Sequence, residues 1–202
     1  MKRLVLVFCG AVVLSAAMNA AFADVKMIDN FRGEVNLLGG RSSVYQQEPS
    51  RIMFKSEEAD VNGKKTKALV LKYDKKNSGG PYDTGGWCGY YTLLKVGNLY
   101  FDGSSFKNIT FWIKGVKGDE NFRVGLADRQ WDSKGDSVKS GQIGQYLKDG
   151  KITAQWQKAS IPLDVFLVDM KELAAISICF EGDCFPDGKQ MGTVYISEIA
   201  LE

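Results

Sequence analysis

Large aromatic residues are concentrated in the glycine-rich stretch SGGPYDTGGWCGYYT at residues 78–92. Glycine and proline are typical of turns and loops, which bury few side chains. We expect the Trp87 ring, set among these glycines, to be open to a ligand, although it could instead fold back over one end of the domain. In a strand that begins near Gly89, Tyr90 and Tyr91 point to opposite sides, so one lies in the core and the other on the open face. An exposed ring offers a flat apolar surface on which a ligand can stack.

A second set of candidate residues belongs to the segment 121–131, NFRVGLADRQW. Its first part alternates with apolar residues towards the core, which places Arg123 on the opposite side beside small neighbours. Small side chains leave space for a ligand there, although Arg123 could equally be an ordinary surface residue. Three further candidates follow at the end of this strand, on the rim: Asp128, Arg129 and Trp131. Together they supply hydrogen-bonding groups and one more ring.

The chain contains no histidine. Its absence excludes Ser-His-Asp and Cys-His catalysis, histidine zinc sites and histidine-based pH switching. Paired carboxylates can still catalyse glycoside hydrolysis, but no acid-pair motif stands out in the sequence. We therefore predict a non-enzymatic protein without catalytic residues.

The first 23 residues have the pattern of a secretory signal peptide. Two basic residues precede an apolar run that ends in an A-x-A motif, and we place the cleavage after Ala23. The mature chain, residues 24–202, then forms a single domain that is long enough to bury a substantial core. No later segment is apolar enough to span a membrane, so we expect a periplasmic or extracellular protein.

Charge and cysteine content narrow the partners of the mature chain. Cleavage leaves 24 basic against 24 acidic residues, so we expect no general attraction to nucleic acid or anionic lipid. Exported proteins fold in an oxidising compartment, which favours one disulfide and one free thiol among three cysteines. The sequence leaves the pairing open among Cys88, Cys179 and Cys184.

Most of the mature chain has the pattern of short strands separated by turns. Only residues 168–175, VDMKELAA, have a helical pattern, and the segment 129–150 shows no clear periodicity. Parallel α/β folds need long crossover helices, and none is visible. We therefore predict an all-β fold, a two-sheet antiparallel β-sandwich. Alternation of period two indicates its strands at 67–73, 108–115, 121–128, 175–181 and 194–201.

Several local signatures line up in order along this predicted sandwich. They include MIDNF at 27–31, the strand pair NITFWIKG and NFRVGLAD, and WQKASIPLDVF at 156–166. In this order the chain resembles the carbohydrate-binding modules of the galactose-binding-like jelly-roll class, and most of all family 11 modules and related bacterial exported domains. Such modules often hold a structural calcium with paired acids of the first and last strands. Here the candidate ligands are only Asp29 and Glu198, and no other cofactor is expected.

The resemblance implies a jelly roll whose concave face or rim binds a polysaccharide or oligosaccharide. Sugars have apolar C–H faces that stack on aromatic rings, and hydroxyls that need paired donors and acceptors. On this interpretation Trp87, Tyr90 or Tyr91, and Trp131 stack on sugar rings, while the hydroxyls are bound by Arg123, Asp128 and Arg129. The alternative is an exported structural or protein-interaction module without a glycan ligand, in which the same aromatic residues contact another exported protein.

Overall fold

The structure is a computed structural model that describes residues 25–185 and 191–202. The predicted signal peptide and its cleavage site lie outside these residues. No helix within the described ranges is long and apolar enough to cross a membrane.

Two antiparallel sheets form the fold, which confirms the predicted β-sandwich. The six-stranded sheet contains β1 (Lys26–Asp29), β3 (Arg51–Val61), β4 (Lys64–Asp74), β6 (Asn108–Gly115), β9 (Gln157–Pro162) and β11 (Met191–Leu201). Its order is β3-β4-β11-β6-β9, and β1 pairs with β11. The five-stranded sheet contains β2 (Ser42–Gln46), β5 (Cys88–Leu93), β7 (Arg123–Asp128), β8 (Val138–Gln142) and β10 (Leu173–Phe180), in the order β2-β5-β10-β7-β8.

The core lies between the two sheets and is filled by alternate residues of their strands. Tyr73 of β4 stacks on Phe180 of β10 with ring centroids 3.9 Å apart. Phe111 of β6 packs against Phe122, which precedes β7, at 6.5 Å. Each pair therefore ties one sheet to the other, and aromatic pairs at such distances contribute about 0.5–1.5 kcal/mol beyond their burial.

The predicted helix at residues 168–175 is wrong. Leu173 begins strand β10, and it exchanges two backbone hydrogen bonds of 2.9 Å with Phe101. These sheet contacts outweigh a weak local preference for helix. The α-helix of the described residues is instead α1 (Arg129–Ser133), which follows β7 directly. Short 3-10 helices occupy Ile143–Tyr146, Leu163–Val165 and Gly182–Cys184.

The predicted disulfide is not formed, because all three cysteines of the described ranges are free and buried. Cys88 pairs with Phe180 across the ladder, and Cys179 pairs with Gly89. Paired residues share a face and neighbours alternate, so the side chains of Cys88 and Cys179 lie on opposite sides of the sheet. Burial raises the pKa of Cys88 and of Cys184 to about 12, so these thiols stay protonated at neutral pH.

Candidate functional site

The outer surface of the five-stranded sheet, here termed the five-stranded face, collects side chains from all five of its strands. In the ladders Tyr91 pairs with Ser43 on one side and with Ser177 on the other, while Tyr45 pairs with Gly89. Because paired residues share a face, Tyr45, Tyr91 and Ser177 lie on the same surface. The five-stranded face is defined by Tyr45, Tyr91, Ser177, Arg123 and Lys139.

The structure decides between the two neighbouring tyrosines of β5. Tyr90 is 1% exposed and belongs to the core, where its ring centroid lies 5.9 Å from that of Phe54. Tyr91 is half-buried on the five-stranded face. Tyr91 is therefore the open tyrosine of this pair and Tyr90 is the core tyrosine. Tyr90 is no longer a candidate ligand contact because its ring is enclosed.

Tyr45 is an aromatic residue that the sequence analysis missed. A Cβ atom built on Gly89 would overlap Cζ and the hydroxyl of Tyr45, so the phenol ring lies directly over Gly89. Glycine thus lets this ring rest on the sheet surface. Burial is the main cause that raises the pKa of the Tyr45 phenol above its usual range, so the ring stays neutral. The sequence shows only the alternation in Ser42–Gln46, and this pattern does not reveal that Gly89 lies opposite Tyr45.

Arg123 lies on the five-stranded face as predicted, but the space beside it is filled. Its guanidinium donates to Asp183 at 2.5 Å and to the carbonyl of Ser140 at 2.8 Å. A Cβ at Gly125 would overlap the hydroxyls of both Ser137 and Ser177, which lie 3.3 Å apart. The space that the sequence predicts beside Arg123 is therefore occupied by two hydroxyl groups. The Arg123 guanidinium holds the pKa of Asp183 below its usual range, which keeps the pair ionised.

Trp87 extends the same face beyond the start of β5. The backbone N–H of Gln47 donates to the carbonyl of Trp87 at 2.8 Å, which continues the β2–β5 ladder by one step. By alternation Trp87 lies on the side of Gly89 and Tyr91. Its side chain is 47% exposed, so the ring is open rather than folded over the end of the sandwich.

The other three candidates lie at the far end of β7. Both carboxylate oxygens of Asp128 are engaged, since Oδ1 accepts from the backbone N–H of Trp131 at 2.9 Å and Oδ2 accepts from that of Asp169 at 2.8 Å. Asp128 therefore caps helix α1 rather than facing a ligand. The end of β7 lies about 16 Å along the strand from Arg123, which separates this end from the Trp87 end.

Arg129 and Trp131 are also engaged with protein groups. Arg129 pairs with Glu172 at 2.9 Å and lies 4.8 Å from the ring centroid of Tyr100. The Trp131 ring carries the ammonium of Lys134 at 4.5 Å from its centroid. The predicted site residues thus do not form one cluster. Of these residues, only Trp87, Tyr91 and Arg123 lie together on the five-stranded face, away from the end of β7 that leads into helix α1.

The candidate calcium ligands do not fit a metal site. Asp29 is 4% exposed, and its carboxylate accepts from the backbone N–H of Phe31 at 2.8 Å and from the Ser42 hydroxyl at 3.3 Å. Burial is the main cause that raises the pKa of Asp29. Glu198 pairs instead with Lys64 at 2.6 Å. Within residues 25–185 and 191–202, no group of three or more acidic, cysteine or histidine side chains is arranged to hold a metal ion.

Comparison with known families decides the class of this protein. The profile of carbohydrate binding domain 30 matches residues 29–202. The chain belongs to this carbohydrate-binding family. The resemblance to carbohydrate-binding modules of the jelly-roll class, noted in the sequence, is confirmed. No curated protein matches the module.

Solved structures show the same sandwich. The family 11 carbohydrate-binding module from Clostridium thermocellum, in complex with a β-1,3-1,4-mixed-linked tetrasaccharide, is 17% identical with a TM-score of 0.61, covering 88% of this module and 94% of that chain. A family 30 carbohydrate-binding module of a cellulosomal cellulase from the same organism is 22% identical with a TM-score of 0.52, covering 74% and 82%. A β-1,2-glucanase from Parabacteroides distasonis is 17% identical with a TM-score of 0.53, covering 88% of this module but 24% of that chain. At these identities the likeness establishes the fold.

Proposed function

We propose that this family 30 module is an exported, non-catalytic protein that binds a glycan chain on its five-stranded face. The observation that carries the proposal is the pair Tyr45 and Tyr91, which lie diagonally on neighbouring strands of one open surface. Diagonal neighbours in a sheet are about 7–8 Å apart at their Cα atoms, which lets two rings contact one continuous ligand. Trp87 extends this aromatic platform at the end of β5.

Polar groups beside the platform complete a surface suited to sugars. The hydroxyls of Ser137 and Ser177 lie together over Gly125, and each can donate and accept. Arg123 and Asp183 offer a donor and an acceptor at the edge of the same surface. Since these charges neutralise each other, the five-stranded face favours a neutral glycan.

The neighbouring structures suggest which glycan to test first. One family 11 module was solved with a β-1,3-1,4-mixed-linked tetrasaccharide, and two neighbours are modules of cellulosomal cellulases. For this module we propose a β-linked glucan as the ligand class. The signal-peptide pattern of residues 1–23 supports action in the periplasm or outside the cell, where such polymers are met.

Affinity electrophoresis of the mature chain in gels that contain a polysaccharide tests this proposal. We expect a mixed-linkage β-glucan in the gel to retard the wild-type chain. The double variant Tyr45→Ala/Tyr91→Ala should migrate without this retardation. Tyr82→Ala is a matched control, because Tyr82 is 72% exposed in the preceding loop. Equal retardation of the double variant and the wild type would reject the five-stranded face as the site, and no retardation by any neutral glucan would reject the ligand class.

A further inference from the structure

The opposite surface of the sandwich carries a second row of aromatic residues. In the six-stranded sheet Lys114 of β6 pairs with Tyr195 of β11, and Trp112 pairs with Lys158 of β9. These residues alternate with the core residues Phe111 and Ile113, so they point away from the core. The outer surface of this sheet is termed the six-stranded face, defined by Trp112, Lys114, Trp156, Lys158, Tyr195 and Lys72.

A lysine lies between two aromatic rings on the six-stranded face. The ammonium of Lys114 is 4.8 Å from the ring centroid of Tyr195 and 5.1 Å from that of Trp156. Both distances fall within the range of cation–π attraction, which holds the ammonium in place without neutralising its charge. A row of ring, cation and ring is therefore formed by Tyr195 of β11, Lys114 of β6 and Trp156, the residue before β9.

The charges on this surface are not balanced. Lys158 pairs with Glu202 at 2.7 Å, and Lys55 pairs with Glu57. In the described ranges no carboxylate pairs with Lys114, and none pairs with Lys72, which lies two strands away on β4. An aromatic surface with two uncompensated ammonium groups is complementary to a ligand that combines flat apolar faces with negative charge.

We propose that the six-stranded face is a second carbohydrate site, which binds an acidic polysaccharide built of uronic acid residues. Trp156, Tyr195 and Trp112 contact the sugar faces, and Lys114 contacts a uronate carboxylate from its place between two rings. Lys72 adds a second cation along the surface. This site is independent of the five-stranded face, because the two surfaces lie on opposite sides of the sandwich, whose sheets pack about 10 Å apart.

Affinity electrophoresis in gels that contain polygalacturonate, at several concentrations and two salt concentrations, tests the second site. We expect retardation of the wild-type chain that weakens with salt, because the contact is ionic. Lys114→Gln removes the charge and leaves a shorter, neutral polar side chain, and we expect its apparent affinity to fall about tenfold. Lys148→Gln makes the same charge change at an exposed lysine of the loop after Ile143–Tyr146 and should leave the affinity unchanged.

Three outcomes would overturn the proposal: no retardation of the wild-type chain by polygalacturonate, equal loss in Lys148→Gln, or equal retardation by polyglutamate, which carries carboxylates but no sugar. Trp156→Ala provides a second variant, and its thermal unfolding is compared with that of the wild type to confirm the fold.

The tests of the two sites can be distinguished from each other. Tyr45→Ala/Tyr91→Ala should lose β-glucan binding and keep polygalacturonate binding, whereas Lys114→Gln should do the reverse.

Discussion

The two outer faces of this sandwich are both aromatic, yet they differ in how their cations are paired. On the five-stranded face Arg123 lies against Asp183 at 2.5 Å, and Lys139 lies 3.1 Å from Asp136. On the six-stranded face Lys114 lies between two rings and has no acidic partner in the described ranges. On the two proposals made for these faces, the balance of charge beside the rings separates a neutral glycan from an acidic one, since aromatic rings are common to both.

The largest effect should come from removing both rings of the five-stranded face. Tyr45→Ala/Tyr91→Ala should weaken β-glucan binding about 100-fold, since each ring contributes roughly 1–1.5 kcal/mol through burial and stacking. Isothermal titration calorimetry with a mixed-linkage oligosaccharide measures the loss. The matched change on the other face, Tyr195→Ala, should leave this affinity unaltered. A comparable loss of affinity in Tyr195→Ala would show that the two faces do not act as separate sites, which would contradict the comparison.

Gly89→Ala tests whether the glycine under Tyr45 shapes the platform. The new methyl group would overlap the Tyr45 ring and the carbonyl of Ile178, so the backbone must shift. We expect a free energy of unfolding lower by about 1–3 kcal/mol, together with weaker β-glucan binding. Chemical denaturation and calorimetry measure the two effects. Gly63→Ala would strain the backbone because φ of Gly63 is positive. The control is therefore Ala154→Gly, in an exposed loop. Unchanged stability and affinity in Gly89→Ala would contradict the placement of Tyr45.

The two ends of the five-stranded face should contribute unequally. Trp87→Ala should weaken β-glucan binding about fivefold, the equivalent of about 1 kcal/mol for one open ring at the end of the platform. Trp131→Ala should have no effect on binding, because Trp131 lies at the far end of the sheet beside Lys134. The same titration, run on both single variants, compares the ends. A larger loss in Trp131→Ala would move the site towards helix α1.

The smallest effect should be that of pH on β-glucan binding. Burial raises the pKa of Tyr45, and the Arg123 guanidinium lowers the pKa of Asp183 from its ordinary 3.8, so neither group changes its charge near neutrality. The chain also lacks histidine. Affinity should therefore be flat from about pH 5 to 9 and fall only in stronger acid, as Asp183 becomes protonated. A step in affinity near pH 6.5 would show that some other group titrates at the site.

Much of the fold was visible in the sequence because strand alternation is a local property. The strands predicted at 67–73 and 108–115 lie within β4 and β6, where alternate residues pack in the core. The helix expected at 168–175 was wrong because Leu173 pairs with Phe101, a contact between distant residues that no local pattern shows. Local preference decides secondary structure only where no sheet neighbour competes for the same backbone groups.

The candidate site was predicted less well, because its members meet only through strand register. Trp87 and Arg123 were proposed from their types and alternation, while the alternation could not tell which of Tyr90 and Tyr91 is open. Asp128 was not recognised as a helix cap, although Asp is a common residue at that position. Tyr45 was missed because its importance depends on Gly89, which lies opposite it on the next strand. One of the expected disulfide pairings, Cys88–Cys179, fails for a related reason, because these residues are close in register but lie on opposite sides of one sheet.

The sequence by itself determined the all-β class of this module, the exclusion of histidine chemistry and the carbohydrate-binding class that its signatures resemble. The tertiary structure alone decided which aromatic residues share a surface, which charges neutralise each other and which cysteines face apart. The physical reason is that side chains alternate along a strand with a period of two, so a shift of one residue in pairing moves each side chain to the other face. That pairing is set by packing between strands far apart in the chain.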